Sequence, residues 1–295
     1  MTDSTTSREP PIGMGEALVD RGAQLCEWGL ARMAYERRIA AAGLAMRALA
    51  RAMPRLRARV TENLARVFPE MEARRRTEVS RAMFDNFGRT FAENFSPAEF
   101  MARMARLRPE GPGLAALEAA RAEGRPAILV SGHFGNHQAA RACLNGHGFA
   151  IGGVYRPMNN RPFNDRYVRT IEAIGRPAFP RGRRGTAGLI RHLRAGGFVG
   201  MLIDQHALEG DLLDFLGHPA RTVLSAAELA LKYDAPLVPV YGRRLADGLD
   251  FQITVEAAVE PADAVSMTQA INDSLAAQVR ACPEQYYWLH RRWKA

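Results

Sequence analysis

From Pro126 onward, short apolar runs alternate with stretches of helical periodicity, and no other feature of this chain limits its fold so strongly. Ala127-Ile128-Leu129-Val130, Phe149 to Tyr155, Phe198 to Ile203, Leu237 to Tyr241 and Phe251 to Val255 read as strands. Helical patterns fill the intervals near residues 136–146, 162–174, 184–195, 222–233 and 265–281. Strands alternating with helices predict an α/β layer with a largely parallel central sheet flanked by helices. In such a sheet, ligands bind beyond the carboxyl ends of the strands, where loops lead into helices.

The chain ahead of this layer has a different character. Residues 1–12 read as a flexible tail closed by Pro10-Pro11, and residues 13–95 as a helical, basic, amphipathic region. The α/β domain is expected over residues 96–295. Within residues 29–60 stand eight arginines (32, 37, 38, 47, 51, 55, 57 and 59) against one acid, Glu36, a local charge of +7. Apolar positions such as Leu30, Met33, Ile39, Leu44, Leu49 and Met53 recur beside them. That pattern suits helices lying on a membrane surface, with arginines at anionic headgroups, or helices packed on the main domain with a solvated arginine face. No run of 18 apolar residues occurs, and residues 1–8 carry no export signal. The expected location is therefore cytoplasmic or peripheral to a membrane. Three scattered cysteines, Cys26, Cys143 and Cys282, argue against a disulfide framework or a zinc ribbon.

Charge enters where partners are concerned. Lys and Arg together number 40 against 31 acids, a net +9, and only Lys232 and Lys294 are lysines. Residues 156–194 hold ten arginines (156, 161, 166, 169, 176, 181, 183, 184, 191 and 194) against Asp165 and Glu172. Guanidinium forks bind phosphate bidentately, so this density suits an anionic acceptor or an acidic partner protein. Arg156 and Asn159 follow a strand end, and Arg183 and Arg184 open a helix after a Gly-rich turn, all plausible anion contacts. No aromatic stacking module or helix-turn-helix signature supports nucleic acid as the partner.

The first strand of the layer runs into Ser131-Gly132-His133-Phe134-Gly135-Asn136-His137-Gln138, where a helical pattern starts. A histidine at such a turn can take a proton near neutral pH, and the helix N-terminus offers N–H groups to an oxyanion. His133 and His137 stand four apart, but the glutamate of a zinc-binding HExxH is missing, so no metal is expected.

This turn resembles the His-x4-Asp/Glu motif of the glycerolipid acyltransferases. More closely it resembles that of the lauroyl/myristoyl acyltransferases of lipid A biosynthesis. Val154-Tyr155-Arg156-Pro157-Met158-Asn159-Asn160 and Leu202-Ile203-Asp204-Gln205 look like later blocks of that family, and Gln285 to Lys294 like its closing signature. Asn63-Leu64 through Phe68-Pro69-Glu70 is similar to its helical region. The resemblance implies transfer of a fatty acyl group from a thioester donor, acyl carrier protein or acyl-CoA, to a hydroxyl of a membrane lipid. The implied acceptor is a lipid A precursor, and the implied place is the cytoplasmic face of a bacterial inner membrane. It implies His133 as general base, without an acyl-enzyme and without a cofactor. Asn136 becomes an oxyanion or acceptor contact and Arg156 an anion clamp.

One residue departs from the pattern: the motif acid is Gln138. An amide cannot stabilise an imidazolium by charge, and in serine-protease triads such a change lowers turnover by about 10⁴-fold. Three readings are open. Asp204 supplies the carboxylate from a neighbouring strand end; the chain has lost activity and only binds lipid; or Gln138 suffices for a different acceptor, such as a lyso-aminolipid or lysophospholipid.

Overall fold

The structure of the protein is a computed structural model that describes residues 32–294 and, ahead of them, residues 21, 22, 24, 28 and 29. The tail expected over residues 1–12 lies outside the described residues, as do most of residues 13–31.

Helices α1 (Tyr35–Arg51), α2 (Pro54–Val67), α3 (Ala73–Asn94) and α4 (Pro97–Met104) precede the layer. The layer then runs β1 (Pro109–Glu110), α5 (Gly113–Ala122), β2 (Ala127–Ser131), α6 (His137–Gly146), β3 (Ile151–Tyr155), α7 (Arg161–Ile174), β4 (Ala178–Pro180), α8 (Arg183–Arg194) and β5 (Phe198–Leu202). A hairpin of β6 (Asp211–Phe215) and β7 (His218–Thr222) follows, then α9 (Ser225–Tyr233), β8 (Leu237–Arg244), β9 (Phe251–Val255) and α10 (Ala264–Ala281). The seven-stranded sheet has the order β1-β9-β8-β2-β5-β3-β4, and within it only the β8–β9 pairing is antiparallel. The largely parallel α/β architecture expected from the alternation is the architecture of the protein.

β2 shows why. All five of its residues are buried, because helices cover both faces of a parallel sheet. Leu129 packs on one side with Phe100, Leu117, Ala139 and Ile253, while Ile128 and Val130 pack on the other with Leu189, Ala227 and Ile271. The period of two along the strand is intact; apolar partners await it on each side.

Several elements have weak local signals. β6 and β7 carry Asp211, Asp214 and Pro219, and the turn between them sets Leu216 and Gly217 at φ of 58° and 82°. This is a two-residue hairpin turn with a non-glycine in the left-handed region. It forms because Phe215, Leu216 and Ala220 enter an apolar cluster with Val60, Leu64, Met83, Phe84, Leu275 and Trp288. That cluster joins α2 and α3 to the layer, so residues on both sides of the division at 95/96 share one core. Trp288 and Arg292 are buried in the same region: the indole N–H donates to the Pro283 carbonyl at 2.6 Å, and the Arg292 guanidinium donates to the Arg221 carbonyl.

Candidate active site

β2 and β5 are parallel neighbours in which Ser131 pairs with Leu202. His133 and Asp204 each lie two residues beyond that pair, so the register alone sets them side by side. The His133 ring Nδ1 is 2.8 Å from Asp204 Oδ1, and the His133 backbone N–H donates to Oδ2, also at 2.8 Å. Gly132 makes the approach possible: a Cβ there would stand 2.5 Å from Leu275 Cδ2 and 3.2 Å from Asp204 Oδ2. The turn is held from behind by the C-terminal segment. Tyr287 N–H donates to the His133 carbonyl and Gly135 N–H to the Gln285 carbonyl, each at 2.9 Å.

Asp204 is completely buried. Burial by itself would raise its pKa, but the charge of His133 and the ring and backbone hydrogen bonds to it hold the carboxyl below its ordinary range. In the neutral imidazole, an ionised carboxylate at this distance selects the tautomer with the proton on Nδ1, which leaves Nε2 as the acceptor. The amide nitrogen of Gln205 lies 3.5 Å from Nε2. Two further imidazoles flank His133, with ring centroids 4.8 Å (His290) and 5.4 Å (His137) away. Burial pushes His137 down to about 3 and His290 down to about 4, so both are neutral at physiological pH.

His133 opens onto a cleft of about 910 Å³. Along one wall Phe87, Phe91, Phe95 and Phe163 form an aromatic bank, with Phe91 and Phe163 nearly parallel at 7°. Arg156, Asn159 and Arg181 line another part; Arg156 is exposed, and among the described residues no acidic side chain stands in ion-pair reach of it. The site thus joins a base oriented by a carboxylate, an apolar trough and cationic side chains.

Three of the expected assignments are corrected by this geometry. Gln138 does not touch His133: its Oε1 accepts from Arg141 Nε at 3.0 Å, on the far side of the first turn of α6. Asn136 is completely buried and faces away from the cleft. Its Oδ1 caps α6 by accepting from Gln138 N–H at 2.9 Å, and its Nδ2 donates to Glu93 Oε2 at 2.8 Å, so neither end is left for a substrate. Arg183 and Arg184 do not line the cleft. Gly185 packs against the Pro180 backbone, where a Cβ would stand 1.6 Å from the carbonyl oxygen, and this turns the two arginines to the exposed face of α8. Arg181, just before them, reaches the cleft instead.

Sequence reasoning gave no role to Gln205, Tyr287, His290 or the phenylalanine bank. Gln205 and His290 lay within blocks already singled out, so adjacency to Asp204 and to the closing signature was a usable signal. Nothing local links Phe87, Phe91 and Phe95 on α3 to Phe163 on α7.

Residues 26–295 match the family described as bacterial lipid A biosynthesis acyltransferase. The lipid A biosynthesis lauroyltransferase of Escherichia coli is 28% identical over 245 residues, 80% of this chain and 78% of the relative. The lipid A biosynthesis acyltransferase of Haemophilus influenzae is 25% identical over 239 residues, covering 79% and 74%. The phosphatidylinositol mannoside acyltransferase of Mycobacterium tuberculosis is 27% identical over 240 residues, covering 79% and 76%. With its parallel sheet, its histidine turn and a match over nearly its whole length, the chain is an acyltransferase that belongs to the bacterial lipid A biosynthesis acyltransferase family.

Proposed function

We propose that this protein transfers a fatty acyl group from a thioester donor, acyl carrier protein or acyl-CoA, to a hydroxyl of a phosphorylated glycolipid, a lipid A precursor. The observation that carries the reading is the His133–Asp204 pair at the edge of an aromatic cleft. Nε2 of His133 accepts the proton of the acceptor hydroxyl as its oxygen attacks the thioester carbonyl. Asp204 stabilises the imidazolium so formed. The C–S bond then breaks, and the departing thiolate recovers the proton from Nε2. The phenylalanine bank receives the acyl chain, while Arg156, Asn159 and Arg181 receive the phosphorylated headgroup.

A carboxylate on His133 also weighs against the reading of a merely lipid-binding homologue, since the amide at Gln138 is not the partner of the base. The similarity to a phosphatidylinositol mannoside acyltransferase favours a second acceptor class, a glycosylated phosphoinositide.

The protein works at the cytoplasmic face of the inner membrane in this reading. Among the described residues no helix is long and apolar enough to cross a membrane. Leu44, Leu49 and Met53 are exposed next to exposed Arg37, Arg51, Arg55 and Arg57, a surface suited to peripheral contact with anionic lipid.

Lipid mass spectrometry on a deletion strain tests the proposal. Wild type should restore an acyl chain missing from lipid A, and His133→Ala should not. Unchanged lipid A together with loss of another acylated lipid would move the acceptor. No change in any lipid would overturn acyl transfer as the activity.

A further inference from the structure

Behind the wall of the cleft lies a separate pocket of about 60 Å³, and His137, Val154, Tyr155, Tyr167, Met201 and Leu202 line both spaces. One side of the pocket is Arg141, which is only 6% exposed. Its Nε donates to Gln138 Oε1 at 3.0 Å, and its Nη2 and Nη1 donate to the carbonyls of Ile171 at 2.7 Å and Gly175 at 3.4 Å. Every one of these acceptors is neutral. Among the described residues no carboxylate lies within ion-pair distance of it. Burial lowers its pKa to about 10, which still leaves a full positive charge at neutral pH. Gly153 and Gly200 give it room: a Cβ on Gly153 would stand 2.5 Å from Nη1. The molecule therefore holds a desolvated guanidinium at the edge of an open space, with hydrogen bonds but no counter-charge, an arrangement that is costly unless an anion completes it.

We propose that this pocket binds a small monovalent anion, a short carboxylate or a halide, which supplies the missing charge to Arg141. Its size sets the class. A single water needs about 10–15 Å³ of such space, so about 60 Å³ admits an ion of a few heavy atoms, such as chloride or acetate. Ser131 and Tyr155 offer polar edges, whereas Leu129, Ile151 and Val240 suit a methyl group or a polarisable halide. A methylene chain would fill the volume and leave the cation uncompensated.

Thermal unfolding of the full chain at constant ionic strength is the test, in sodium acetate, sodium chloride or sodium gluconate, the last being too large for the pocket. In wild type, acetate or chloride should raise Tm about 2–4 °C above gluconate. Gln138→Glu places a carboxylate on the Arg141 Nε–H; its Tm in gluconate should equal or exceed that of wild type in acetate, and it should not respond to the choice of salt. Equal wild-type Tm in all three salts would overturn the proposal. So would a Gln138→Glu protein that keeps the full wild-type response.

Discussion

Among the described residues, Glu93 and Asp204 are the two carboxylates with no exposure at all, and they do opposite things. Glu93, on α3, meets the guanidinium of Arg244 on β8, which donates from Nη1 to Oε1 and from Nη2 to Oε2 at 2.8 Å, and it also accepts from Asn136. Its partner is a guanidinium that engages both carboxylate oxygens, so the pair locks a helix to the sheet. Asp204 meets an imidazole, a base that gains and loses a proton, with its far nitrogen facing a cleft. Equal burial therefore does not make equal roles. What separates a clamp from a proton-handling pair is whether the partner titrates and whether its free side reaches solvent or substrate.

The comparison is open to direct attack. The largest effect belongs to Asp204→Asn: acyl transfer measured with a thioester donor should fall about 10⁴-fold, as it does when a triad loses its acid. Its Tm should also fall, since both carboxylate oxygens accept from His133 and an amide can accept through only one of them. A drop in stability with little loss in rate would make Asp204 a clamp as well.

Next in size is Glu93→Gln, which leaves Arg244 buried beside a neutral group. Chemical denaturation should show a loss of about 3–5 kcal/mol. The fraction that remains folded should keep most of its turnover, and a collapse of the rate in that fraction would erase the distinction.

Smallest is the response to pH. His137 and His290 have pKa values lowered in the folded state to about 3 and about 4, so between these values and their ordinary 6.5 the unfolded chain binds more protons. Stability must then rise with pH up to about 6.5 and flatten above it, with a slope of at most about 1.4 kcal/mol per pH unit for each histidine. Asp204, also lowered, adds its own loss only as the pH falls below the ordinary carboxylate range. Urea titrations between pH 5 and 7.5 measure the slope, which His290→Gln should reduce. A slope that His290→Gln and His137→Gln leave untouched would place the titration elsewhere.

Much of this was legible in the chain because it depends on neighbours in sequence. The all-apolar β2, the glycines around His133 and the helical periods of α6, α7 and α8 are local signals, and each element forms close to where its pattern predicts. β6 and β7 were not legible, since their polar residues and Leu216 fit a hairpin only after α2, α3 and α10 give Phe215 and Ala220 somewhere to pack.

By itself the sequence determined the α/β class and the histidine at the end of β2, because strand alternation, helix period and turn chemistry are written within a few residues. It also offered both Gln138 and Asp204 as partners for that histidine without deciding between them. Only the tertiary structure decided, and for reasons that no local window contains. β5 becomes the neighbour of β2 only after the chain has passed through β3, α7, β4 and α8, and that pairing sets Asp204 beside His133. Competition for hydrogen bonds settled the rest: Arg141 engages Gln138, and Glu93 engages Asn136. A side chain's role follows from which partner reaches it first in space.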